Sequence, residues 1–179
     1  MADLDFIEDS HLRKTLEDSI EFIYVLYERS KEGNQKNLYK EETYRIIILY
    51  VAAVIEAVLF YFYKKRGEKI EHLEYKHVQA LPREFIHSSK KDCVLVVAVQ
   101  EKSVKKEYDI GLHGLVNFFR DKKLIREDTT RKILELNDLR NTFHLAKERN
   151  KDCNTERVNE ALDLLLHTIE NAQKTLAEK

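Results

Sequence analysis

Residues 46 to 63 read IIILYVAAVIEAVLFYFY, bounded by Arg45 on one side and by Lys64-Lys65-Arg66-Gly67 on the other. This is the most apolar stretch of the chain, and its length without Gly or Pro predicts a helix that is apolar on nearly every side. The run just reaches the roughly 18-residue threshold for a membrane span. Glu56 lies near its middle, however, and a central carboxylate costs about 2.5 to 3.5 kcal/mol on insertion scales. Tyrosines and alanines dilute the apolar gain further. The segment therefore reads as a buried core or interface helix, with no membrane as partner. A helix apolar all round is hard to cover within one small bundle, so a second copy of the chain is expected on its free face.

Outward from this helix, residues 8 to 31 place Leu12, Leu16, Ile20, Ile23 and Tyr27 at three- and four-residue steps, as an amphipathic helix requires. GNQKN links the two. From Glu68 the period changes. KIEHLEYKHVQAL alternates imperfectly, Pro82 interrupts, and CVLVVAV follows, β-branched and short, running on through QEKSVKKEYDI. The expectation is an antiparallel β-hairpin with a longer loop, inserted at 68–110. Helical spacing returns in GLHGLVNFFRDKKLI, with Leu112, Leu115, Phe118 and Phe119 on one face. Asp128 and Thr129 are the expected cap of TTRKILELNDLRNTFHLAKE, anchored by Leu134, Leu136, Leu139, Phe143 and Leu145. Asn154 or Thr155 caps a last helix with the stripe Val158, Leu162, Leu165, Leu166, Ile169 and Leu176.

The chain has 179 residues with one Pro and four Gly, which fits one domain over 1–179 built from long elements and excludes a turn-dense β-sandwich. Lys plus Arg is 31 against 32 for Asp plus Glu, a formal net charge of −1, so any nucleic-acid site must be local. Cys93 and Cys153 form no Cys-x-x-Cys pair, and the N-terminus is acidic where a signal peptide is basic, which suits a reducing cytoplasm. No glycine-rich phosphate loop and no Ser-His-Asp pattern is present, and no cofactor is expected.

The densest polar cluster within an apolar helix is Asp138-Leu139-Arg140-Asn141-Thr142-Phe143-His144-Leu145. On a helix Arg140 and His144 would lie one turn apart on one face, within reach of a single phosphate. Cleaving RNA without a metal needs a group to move the 2′-hydroxyl proton and a cation to steady the phosphorane oxygens, roles suited to imidazole and guanidinium. A structural use of the same residues is nearly as common: Arg140 would pair with Asp138 or Glu56, and His144 would donate a hydrogen bond at a helix end. Glu56 itself would position Arg140 or mark a polar seam.

LNDLRNTFHL resembles the Arg-Asn…His signature of the HEPN superfamily, small α-helical proteins many of which are metal-independent ribonucleases. The order of an amphipathic helix, an apolar helix with an acidic residue, a motif helix and a final helix is similar to that family's. The hairpin insertion lies outside the common core, and Arg140 and His144 stand one residue closer than the usual signature. The resemblance implies a mainly α, HEPN-like bundle and a homodimer in which two motif helices meet. It also implies catalytic roles for Arg140 and His144, with Asn141 orienting one of them at the substrate.

Weaker candidates are His72, His77 and His87, whose spacing makes no metal site. Lys102, Lys105 and Lys106, with Lys90 and Lys91, form either a local basic surface for RNA or a solvated edge. Tyr61, Phe62 and Tyr63 point in different directions and belong to core or interface. The expected function is a HEPN-like endoribonuclease or RNA-binding protein of a defence, toxin or stress system. The alternative is a non-catalytic dimeric interaction module whose hairpin recruits a protein partner.

Overall fold

The computed structural model describes residues 3–32, 37–80, 96–143 and 153–177. The chain is mainly α with an inserted two-stranded antiparallel hairpin. In order it runs α1 (Ser10–Ser30), α2 (Asn37–Arg66), β1 (Glu71–Ala80), β2 (Val96–Val104), a 3-10 turn (Glu107–Asp109), α3 (Leu112–Asp121), α4 (Glu127–Asn141) and α5 (Thr155–Ala177). It divides into two compact units, a helical one (Met1–Glu68 with Ile110–Lys179) and the hairpin unit Lys69–Asp109.

In the helical unit, α2 packs against each of the other four helices. Ile47, Ile48, Val51, Ala52, Ile55 and Val58 are fully buried, which makes α2 the spine of the core. By length and hydropathy α2 also qualifies as a candidate membrane span, with 56% of its most apolar window buried in the bundle. It starts nine residues before Ile46, because the polar turns ahead of the apolar run stabilise themselves. Arg45 pairs with Glu42 at 2.6 Å and Glu41 at 3.7 Å, and the Thr43 hydroxyl donates to the Tyr39 carbonyl. Gly67, at φ 65°, ends it in the left-handed conformation that side chains disfavour. Glu68 then pairs with Arg66 and with Lys122 after α3, and these hydrogen bonds hold its carboxyl below the usual range.

One face of α2 stays open: Ile46, Leu49, Tyr50 and Ala53 are exposed at helical spacing. Phe22 of α1 joins this strip, its ring centroid 4.9 Å from that of Tyr50. On α1 the inward residues are Leu16, Ile20 and Ile23, with Leu12 and Tyr27 half-buried. Asp9 caps that helix by accepting the amides of His11 and Leu12 at 3.0 Å. On α3, Leu112, Leu115 and Phe119 are buried, whereas Phe118 is half-buried with its edge against Tyr63.

The later helices differ from the sequence expectation in three respects. The start of α4 is Glu127, with Arg126 rather than Asp128 or Thr129 at the N-cap. Glu127 and Asp128 thereby sit in the first turn beside unpaired amides, where negative charge is favourable, while Thr129 and Thr130 enter the core. Inward residues of α4 include Ile133 as well as Leu136 and Leu139; Leu134 and Phe143 are only half-buried, and Leu145 lies outside the described residues. On α5, Val158, Leu165 and Ile169 are buried, but Leu164 replaces Leu166 in the core, Leu162 is half-buried, and nothing is described of the Leu176 side chain. Three consecutive leucines cannot all face inward, and spacing alone does not choose among them. The Asn154 side chain caps α5 as expected, accepting the amide of Arg157 at 3.0 Å.

In the hairpin unit, Glu71 lies opposite Val104 and Lys76 opposite Val99, after which Gln79 faces Val97. One extra β1 residue makes a bulge at His77, whose φ is 54°. Strand β2 stops at Val104 instead of continuing to Ile110, since Lys105 donating to Ile70 is the last rung that β1 offers. Residues 81–95, with Pro82, His87, Lys90, Lys91 and Cys93, lie outside the described residues.

Truncating the spine should show its weight. Ile48→Ala, at a fully buried position, is expected to lower unfolding stability by about 2 to 5 kcal/mol. Leu38→Ala, at an exposed position of the same helix, should stay within about 0.5 kcal/mol in the same urea titration followed by circular dichroism.

Candidate active site

Glu56 is carried into the bundle by α2, where its neighbours Ile55 and Val58 are fully buried. A carboxylate in such a setting needs a partner, because leaving it unpaired costs several kcal/mol. Arg140 supplies one from the last turn of α4: its Nη1 donates to Glu56 Oε2 at 2.8 Å. Of the two carboxylates the sequence offers to Arg140, the distant one is used, and Asp138 faces solvent. Both members of the pair are partly open, with side-chain exposures of 26% for Arg140 and 29% for Glu56. The cation also sits favourably at the C-terminal end of its helix.

The other carboxylate oxygen, Oε1, faces Gly111 at the start of α3; a Cβ placed there would lie 3.7 Å from it. Glu56 thus stands between a guanidinium and the N-terminal end of a helix, both electropositive. Among the described residues, the remaining N–H groups of Arg140 have no other partner, and their planar fork suits an anionic oxygen pair.

Sequence inspection singled out Arg140, His144 and Asn141. Asn141, the last residue of α4, is exposed and shares the helix end with Arg140. The spacing predicts helix as far as Glu148, whereas α4 ends at Asn141 with Thr142 as its C-cap, the Thr142 hydroxyl donating to the Leu139 carbonyl at 2.7 Å; residues 144–148 lie outside the described residues. Phe143 follows in a turn with its amide on the Arg140 carbonyl, and His144 lies outside the described residues. The Thr142 and Phe143 amides bond carbonyls three residues back, at 3.0 and 3.2 Å, the tightened last turn in which α4 ends.

One residue at this site was not anticipated. Asn137, one turn before Arg140, is buried, and its Oδ1 has no hydrogen-bond partner among the described residues. Thr130, Ile133, Asn137 and Arg140 recur at three- and four-residue steps, so the polar members form a seam along one side of α4. The sequence signal was present in LELNDLRN, but an Asn among Asp and Arg reads the same whether its side chain faces water or the core.

Other candidates fall into structural roles. The Tyr61 hydroxyl accepts the Glu8 amide, and Phe62 and Tyr63 are buried. His72 hydrogen-bonds Glu74 at 2.8 Å, and Lys102 is neutralised by Glu71 at 3.3 Å. Burial pushes the Cys153 thiol up to about 11, partly countered by Arg45 and Arg157, so it is no nucleophile at neutral pH.

A double-mutant cycle tests whether the ion pair is a coupled unit. Glu56→Ala and Arg140→Ala are each expected to cost about 1 to 2 kcal/mol of stability, with the double variant losing roughly 1 kcal/mol less than their sum. Strict additivity would mean that the 2.8 Å contact is not held in solution. Comparison of the chain with protein-family models, curated proteins and solved structures finds no match.

Proposed function

We propose that this chain is a HEPN-like protein that binds RNA and cleaves it without a metal, acting as a homodimer in a cytoplasmic defence, toxin or stress setting. The observation that carries this reading is Arg140: a partly exposed guanidinium anchored by Glu56 through one nitrogen at the end of α4, four residues ahead of His144. Glu56 fixes the orientation of the fork, and the unused N–H groups would steady the charge that develops on the scissile phosphate. His144 would take the 2′-hydroxyl proton or protonate the leaving 5′ oxygen, and Asn141 would orient one of the two. The exposed strip of Ile46, Leu49, Tyr50 and Phe22 supports dimerisation, since an apolar surface on two adjacent helices gains by mutual burial.

A second reading, a non-catalytic interaction module, is favoured by the hairpin. Leu73, Tyr75, Val97 and Val99 are all more than half exposed there, which suits recruitment of a protein partner.

Labelled single-stranded RNA incubated with the protein in excess chelator separates the two. The expected result is cleavage that falls by about 10² or more in His144→Ala and in Arg140→Ala. Equal activity in all three preparations would identify a contaminant, and absence of cleavage by a folded dimer would leave the module reading. In sedimentation, Leu49→Glu should convert a wild-type dimer to monomer.

A further inference from the structure

Along α2 the open strip is a palindrome centred on Ala53, which is itself exposed. Leu49 lies four residues before it and Ala57 four after; Ile46 lies seven before and Phe60 seven after; Glu42 lies eleven before and Lys64 eleven after. Steps of four, seven and eleven are close to whole turns of an α-helix, so all seven side chains leave the same side of α2. Each of the seven is at least partly exposed. The Lys64 ammonium stands 5.8 Å from the centroid of the Phe60 ring, which places it on this side.

A contact between identical surfaces requires such a pattern. A two-fold axis at right angles to α2 at Ala53 sets a second α2 antiparallel to the first and pairs each residue with the one equally far beyond Ala53. Ala53 then meets its own copy, where a methyl side chain lets the two helices approach closely. Ile46 meets Phe60, Leu49 meets the small Ala57, and Glu42 meets Lys64. Phe22 of α1, lying against the Tyr50 ring, widens the apolar surface.

Charge selects the orientation. A parallel pair would set Glu42 against Glu42 and Lys64 against Lys64, whereas the antiparallel pair makes two unlike contacts. Glu42 is not neutralised by Arg45, because that single guanidinium is shared with Glu41. Opposed helix dipoles favour the same orientation.

We infer that α2 docks on the α2 of a second copy of this chain, antiparallel about a two-fold axis at Ala53, with Glu42 facing the partner's Lys64 at each end. The inference rests on the homodimer of the preceding reading and not on its chemistry at Arg140.

Sedimentation equilibrium of the full chain reads the dimer dissociation constant. Glu42→Lys and Lys64→Glu should each weaken the dimer about tenfold or more, since each turns two attractions into two repulsions, and the variant carrying both should recover most of the wild-type affinity. Glu17→Lys, a charge reversal at an exposed position of α1, should change little. A second readout uses cross-linking in a Cys93→Ser background. Ala53→Cys should form a disulfide between copies under mild oxidation, since a residue on the axis comes within about 7 Å of its own counterpart between Cα atoms. Ile46→Cys should not cross-link to itself, its two copies standing roughly 21 Å apart along the helices, but should do so when mixed with Phe60→Cys. A monomeric wild type would overturn this inference together with the dimer of the preceding reading. A stable dimer in which the double variant fails to recover, or in which Ala53→Cys stays uncross-linked, would overturn the antiparallel register alone. Cleavage or its absence in the RNA assay bears on neither result.

Discussion

Burial of α2 is the constraint on which the helical unit depends. Each of the other four helices contacts it, and α1 touches no other element as closely. Most of the fully buried large side chains lie on α2 or on faces turned toward the core it centres. Hydrophobic burial is non-directional, so a helix apolar around most of its circumference can accept neighbours on several sides at once. The neighbours, which carry charge on their outer faces, have one way to turn. The cost of this arrangement is the strip that four helices leave uncovered, where Ile46, Leu49 and Tyr50 remain partly in solvent.

Within so apolar a spine, Glu56 is the exception that shapes its surroundings. A carboxylate there selects its neighbours: an Arg from α4, and a glycine at the start of α3 whose lack of a side chain leaves room beside Oε1. The ion pair ties elements far apart in sequence, and it gives Arg140 a fixed bearing at modest exposure. In the reaction proposed for Arg140 the same feature would serve stability and chemistry together, because a cation that is to hold a phosphate must first be held itself. Asn137 extends the polar seam one turn deeper, buried and with its Oδ1 lacking a hydrogen-bond partner among the described residues.

The hairpin obeys different physics. A two-stranded ribbon has no interior, so its alternating residues cannot all be covered from within, and both strands carry exposed apolar side chains. Cross-strand ion pairs, Lys76 with Glu101 and Lys102 with Glu71, fix its register on the solvent side. The bulge at His77 interrupts the regular edge of β1, one of the devices by which an exposed strand resists unwanted pairing.

Local sequence determined the existence and type of each α-helix and β-strand: the apolar run of α2, the alternating strands with their β-branched residues, and the charged periodicity of α1 and α5 all declare themselves within a few residues. The Asn154 cap and the stop at Gly67 were legible for the same reason, since each depends on the chemistry of its own turn. Tertiary structure decided which two leucines of the 164–166 run face inward, that Glu56 rather than Asp138 receives Arg140, and that α4 closes on Thr142. It also decided which face of α2 the other four helices leave uncovered. Those choices depend on atoms brought together from segments as much as 84 residues apart, and no periodicity along a single helix carries information about what stands across from it.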